Sequence, residues 1–124
     1  MKKVIIAGSR TLLPSVGFIE RSLRMVGLTD NQYRIISGNA YGVDQVGEAL
    51  AKESGWPFEI FPADWETHGK SAGPIRNKEM AHYADILLLI WDGKSKGSLN
   101  MKKNMLNLGK PVHEIIIKRD WNLT

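Results

Sequence analysis

The chain of 124 residues contains no cysteine. Disulfide staples, zinc–thiolate sites and cysteine nucleophiles are therefore excluded, while the compartment is left open. Long apolar runs are missing too. The longest, Ile86 to Trp91, has six residues, against about 20 for a helix that crosses a bilayer. Two lysines near the start precede only Val4-Ile5-Ile6-Ala7, too short a stretch for a secretory signal. A cytoplasmic protein with no membrane partner is the expectation. No run of lysine and arginine exceeds two residues, although the net charge is +4. Nucleic acid is thus not the favoured partner, and positive charge around a small anionic ligand accounts for the same balance. The three histidines, at 68, 82 and 113, lack metal-ligand spacing. Neither a metal nor a cofactor is expected, and no Ser-His-Asp or paired-carboxylate pattern is visible. Internal repeats and low-complexity segments are absent.

What is present is ordinary for a globular chain: 43% hydrophobic and 24% charged residues. The length suits one domain over 1–124. Apolar runs alternate with helical spacing. Strands are expected over Lys3–Ala7, Tyr33–Ser37, Pro57–Phe61, Asp85–Trp91 and Val112–Ile117. Helices are expected over Pro14–Val26, Val43–Ser54, Pro74–Ala84 and Ser98–Leu108. The inward positions are Val16, Ile19, Leu23 and Val26 in the first helix, and Val43, Val46, Leu50 and Ala51 in the second. In the fourth they are Met101, Met105 and Leu108. This alternation predicts an α/β fold with one doubly wound, Rossmann-like parallel sheet of five strands. The polar residues in strands three and five suit edges. An order of 3-2-1-4-5 follows, with a switch point between strands one and four. The polar stretch Pro62 to Gly73 reads as a loop of 12 residues lying over the ligand pocket.

Three glycine-rich loops follow strands and precede helices: Gly8-Ser9-Arg10, Ser37 to Gly42 and Gly93 to Ser98. In a parallel sheet such loops share the carboxyl edge, where ligands bind. Helix starts offer free N–H groups and a positive dipole end to anions. The Gly93, Ser95, Gly97 and Ser98 loop reads either as a phosphate cradle or as a plain turn with Ser98 capping the fourth helix. Gly38, Asn39, Ala40 and Gly42 either pass backbone along a ribose or base, or form a tight strand–helix turn; Asn39 tolerates left-handed geometry. Arg10 and Arg76 are candidates for bidentate phosphate contact or surface charges. Asn77 can read a base edge or simply solvate. Trp65 can stack on a base or anchor its loop. Asp44 accepts a ribose hydroxyl or stabilises a helix start. Glu48 and Glu53 read as solvated.

Five segments in order resemble the SLOG superfamily, and within it the small YspA-like branch related to YpsA. They are Ile6-Ala7-Gly8-Ser9-Arg10, Ser37 to Asp44, Phe61 to Trp65, Gly69 to Asn77 with Met80, and Trp91 to Ser98. The resemblance covers about Lys3 to Val112. It implies a Rossmann-like fold that binds a nucleotide or nucleotide-derived ligand, and by analogy a homodimer or higher homo-oligomer. LOG-type phosphoribohydrolases cleave a base from a nucleoside monophosphate, and DprA-like members bind single-stranded DNA. Arg76, in Arg76-Asn77-Lys78-Glu79-Met80, matches the arginine of the LOG segment. The glutamate that follows the LOG phosphate loop is absent here, where Leu99, Asn100 and Met101 stand. Hydrolysis through an oxocarbenium-like transition state would then need another carboxylate, Asp44 or Asp64, beside Arg76. A binding module or sensor is the leading expectation. The phosphate is expected on Gly93–Ser98 and Gly8-Ser9-Arg10, with the base or ribose against Gly38–Gly42 and under Asp64-Trp65.

Overall fold

The computed structural model describes residues 1–118 and 123–124. Along the chain run β1 (Lys3–Gly8), α1 (Val16–Met25), β2 (Arg34–Ser37), α2 (Val43–Ser54) and β3 (Phe58–Ile60). Then come α3 (Trp65–His68), a 3₁₀ turn (Gly69–Ser71), α4 (Ala72–Tyr83), β4 (Ile86–Trp91), α5 (Lys96–Asn107) and β5 (Val112–Ile116). The five strands form one sheet in the order β3-β2-β1-β4-β5, and every pairing is parallel. The expected fold class and strand order are therefore observed, with β3 and β5 at the edges.

Alternation along the strands divides the core between the two faces of the sheet. On one face Val4, Ile6, Ile35, Leu88 and Ile90 pack with Ile19 and Leu23 of α1 and with Val43, Leu50 and Ala51 of α2. On the other, Ile5, Ala7, Ile36, Leu87, Leu89 and Trp91 pack with Met80 and Ala81 of α4 and with Met101 and Met105 of α5. Both faces are covered, which is why β1 and β4 carry almost no polar residue.

Several expected boundaries are corrected. The Pro62–Gly73 segment is not an irregular loop. It holds α3, the 3₁₀ turn and the start of α4. Asp64 caps α3, its Oδ1 accepting the Thr67 N–H at 3.1 Å. Every residue from Asp64 to Ser71 is exposed, so this segment has no inward face and shows no helical periodicity. Pro74 is the third residue of α4 rather than its start, a first-turn position that needs no intrahelical N–H bond. Helix α1 is capped by Ser15, so Pro14 lies before it. Helix α5 begins at Lys96 with Ser95 as its cap, not at Ser98. Leu108 caps the end of α5 and is exposed rather than inward. Tyr33, Pro57, Phe61, Asp85 and Ile117 fall just outside the strands. No helix among the described residues is long and apolar enough to cross a membrane.

Candidate functional site

The site forms where β1 and β4 meet at the carboxyl edge of the sheet. At Gly8 an added Cβ would stand 1.8 Å from the Ile90 carbonyl oxygen. A side chain is therefore excluded, and the two strands run together to their ends. Beyond Gly8, the Ser9 N–H donates to that same carbonyl at 3.2 Å. The Ser9 hydroxyl accepts the Asp92 N–H at 3.1 Å, lacing the first loop to the fourth. Gly42 has φ 93, and a Cβ there would meet the carbonyl oxygens of Leu12, Ser9 and Arg10 at 2.7 to 2.9 Å. Both glycines thus permit a close approach of backbone to backbone.

A cleft of about 350 Å³ opens between these loops. Gly8, Ser9, Arg10, Ala40, Asp44, Arg76, Asn77, Ser95, Gly97 and Ser98 line it, with Thr11 and Asp92, and Met80 and Met101 add apolar surface. One wall is the first turn of α5. The Ser95 hydroxyl accepts the Ser98 N–H at 3.4 Å, and the Asp92 carboxylate accepts those of Lys94 and Ser95 at 2.8 and 2.9 Å. These bonds hold the Asp92 carboxyl below the usual carboxylate range. The loop is thus partly self-satisfied, but helix geometry leaves the N–H groups of Lys96 and Gly97 without an acceptor inside the helix. Beside them the Ser98 hydroxyl is buried and has no hydrogen-bond partner.

Facing this wall is Arg76, on α4. Its Nη1 donates to the Gly38 carbonyl at 2.7 Å and to the Phe61 carbonyl at 3.5 Å. Burial lowers its pKa, the Asp44 carboxylate opposes that shift, and Arg10 adds to it. Asn77 is neither solvated nor free. Buried, it accepts the Arg76 Nε–H at 3.0 Å and donates to Asn100 Oδ1 at 3.1 Å and the Gly97 carbonyl at 3.4 Å. It ties α4 to the first turn of α5.

Asp44 stands at the start of α2, buried, its Oδ2 accepting the Ala40 N–H at 3.3 Å. Burial pushes its pKa up to about 6. Hydrogen bonds from the Ala40 and Gly8 backbone and the charge of Arg76 oppose the rise, while Glu48 adds to it. The cleft therefore holds two guanidinium groups, Arg10 and Arg76, and two carboxyl groups, Asp44 and Asp92. It can bind an anion at the α5 start, and Asp44 can exchange a proton near neutral pH.

A second compartment, of about 330 Å³, adjoins the first and shares Arg10, Ala40 and Arg76 with it. Gly38, Asn39, Tyr41, Pro62, Ala63 and Trp65 complete it. Trp65 is 51% exposed and Tyr41 62%, so aromatic surface is available there. Asn39 takes the left-handed conformation, φ 58. Three residues expected at the site, Gly42, Gly93 and Asp64, line neither compartment. Asp64 is exposed, and its carboxylate, held below its usual range by Thr67, caps α3. Of the two carboxylates considered for acid–base chemistry, only Asp44 enters the cleft.

Sequence reasoning missed two acidic residues. Asp92 was readable from the Asp-Gly dipeptide that marks such a self-bonded turn. Glu48, expected to be solvated, is only 8% exposed. It accepts the Ser37 Oγ–H at 2.6 Å, a long-range pairing that no local pattern announces.

No family model matches the chain. It is 32% identical, over an alignment 124 positions long, to the Gene 61 protein of Mycobacterium phage D29, covering 90% of this chain and 94% of that protein. In structure it resembles DNA processing protein A (DprA) from Streptococcus pneumoniae, with a TM-score of 0.72 and 18% identity. The superposition covers 98% of this chain but 52% of that one, so the chain spans about half the length of the DprA structure. That likeness bears out the Rossmann-like, DprA-like fold that the five segments lead one to expect. By its identity to the phage protein over nearly the full length of both, the chain belongs to the family of the Gene 61 protein.

Proposed function

We propose that residues 1–124 form a single domain of the YspA-like kind that binds a nucleotide or nucleotide-derived ligand, acting as a binding module or sensor. One observation carries this reading. The buried, unpartnered Ser98 hydroxyl lies in the first turn of α5, where the N–H groups of Lys96 and Gly97 have no acceptor inside the helix. Arg10 and Arg76 line the same cleft. A buried hydroxyl without a partner is costly, and a phosphate oxygen would satisfy it together with the helix start. The adjoining compartment, with Trp65 and Tyr41, then takes the base or ribose. The structural neighbour, DprA, is by its name a DNA processing protein. That lends weight to a nucleotide-type ligand without deciding its size.

Saturation-transfer NMR with AMP, GMP, CMP, UMP, NAD and ADP-ribose tests the proposal. Transfer to at least one of them, reduced by Arg76→Ala and Ser98→Ala, is the expected result. Silence from all of them, with salt-sensitive binding of a single-stranded oligonucleotide, would replace it with a DNA-binding role. A second reading has one observation in its favour: a buried carboxyl, Asp44, with a pKa near 6 in the cleft beside Arg76. It would supply the carboxylate that an N-glycosidase needs. Free base accumulating in proportion to protein in the same spectra, and absent with Asp44→Asn, would establish it.

A further inference from the structure

We infer that Glu48 is a positioning residue for the second compartment: through Ser37 and Asn39 it fixes the Gly38–Ala40 turn against which a nucleoside lies. This rests on the nucleotide reading above. Glu48 is buried on α2, one turn after Asp44. None of the ion pairs among the described residues involves it. A buried carboxylate without a cation persists only where hydrogen bonds replace its water.

Among the described residues, the hydrogen bonds that Glu48 accepts run to one place. Ser37, fully buried, donates its hydroxyl to Glu48 Oε2 at 2.6 Å, and the same hydroxyl accepts the Asn39 N–H at 2.9 Å. With its amide nitrogen turned towards the carboxylate, Asn39 also donates to Oε2 at 3.0 Å and Oε1 at 3.2 Å. Backbone and side chain of Asn39 are thus anchored on one carboxylate. Asn39 is the one non-glycine residue with positive φ among the described residues, a conformation that needs such support. Its neighbours are held from the cleft side, the Gly38 carbonyl by Arg76 and the Ala40 N–H by Asp44. Glu48 alone of these three clamps lines neither compartment. Its influence on a ligand therefore passes through the turn.

Calorimetric titration separates the two compartments. Inorganic phosphate probes the α5 start, and whichever of AMP, GMP, CMP and UMP binds the wild-type protein tightest probes both. Glu48→Gln keeps the volume but turns donors towards donors. It should raise the nucleotide Kd about tenfold, the loss of one charge-assisted bond, while the phosphate Kd changes less than about twofold. Asn39→Gly, which accepts positive φ, should give the same nucleotide loss. The double variant should lose no more than either single one, because both act through the same link. Additive losses, equal weakening of both probes, or an unchanged nucleotide Kd would overturn the inference. Should Glu48→Gln fail to fold, Asn39→Gly in its exposed turn carries the test, and loss of nucleotide without phosphate is again required. Wild-type protein that binds neither probe overturns the reading of the site and this inference with it. Binding of both, with no split in the variants, overturns the inference alone.

Discussion

Asp44 makes one contribution to how the folded chain responds to acid. Its pKa rises to about 6 from 3.8 because burial outweighs the help of Arg76 and the backbone donors, and Glu48 adds to the rise. The folded state holds this proton more tightly than the unfolded chain. The stabilisation is full below about pH 4 and is lost as pH rises through about 6. The loss amounts to roughly 3 kcal/mol. Urea unfolding of Asp44→Asn across pH 4 to 7 should lack this contribution, so the variant gains on wild type towards neutral pH. A parallel pair of curves would contradict the assignment. Two glycines make opposite predictions at the same scale. Gly8→Ala places a methyl on the Ile90 carbonyl and should cost about 3 kcal/mol. Gly97→Ala meets nothing within 4 Å and should stabilise α5 by about 0.5–1 kcal/mol. Its methyl, at a residue lining the cleft, should weaken phosphate binding. Thermal melts and phosphate titration together check this pair.

Among the elements, α4 and α5 depend on side chains more than on their own hydrophobic pattern. The end of α4 is closed by Lys110, whose ammonium donates to the carbonyls of Ala81, His82 and Ala84 at 2.7 to 3.0 Å. Lys110→Met keeps the stem and removes the three bonds. It should cost about 1–3 kcal/mol in urea unfolding. If it costs nothing, water replaces the ammonium. The starts of these two helices were less readable than their ends: they were expected at Pro74 and Ser98 and stand at Ala72 and Lys96. Long, buried strands such as Ile86–Trp91 announce themselves by composition, and α1 by its spacing of Val16, Ile19 and Leu23. Helix α3 has no buried residue, so no periodicity existed to be read. The cap of α5 was misplaced by three residues because Ser95 and Ser98 both suit that position locally. Only the path of the chain after Asp92 selects Ser95. Glu48 was misread for a related reason: the partners that draw it inward lie on β2 and the turn after it.

Across the whole molecule, sheet order was legible because two strands are apolar on both faces and two are not. The site was legible as a set of loops, but not in its chemistry. That Asp92 consumes two N–H groups of its own loop, and that Asp64 faces away, are facts of three-dimensional placement. With two carboxyl groups balancing two guanidinium groups in the cleft, the +4 net charge of the chain is spread elsewhere. Ligand affinity should therefore depend weakly on salt. Raising salt from 50 to 200 mM should weaken nucleotide binding only a few-fold, whereas an extended nucleic-acid contact through 6–10 phosphates would lose about 10³ or more. Titration at both salt concentrations distinguishes a pocket from a surface.

The two compartments share Arg10, Ala40 and Arg76 as a common wall. Filling one should therefore alter the other through these residues, and thermodynamic linkage requires any such effect to be reciprocal. Free phosphate in the first compartment will change the affinity of a nucleoside for the second by the same factor that the nucleoside changes that of phosphate. Two separate fragments thus report, through that single factor, how far an occupant of one compartment prepares the other for its own.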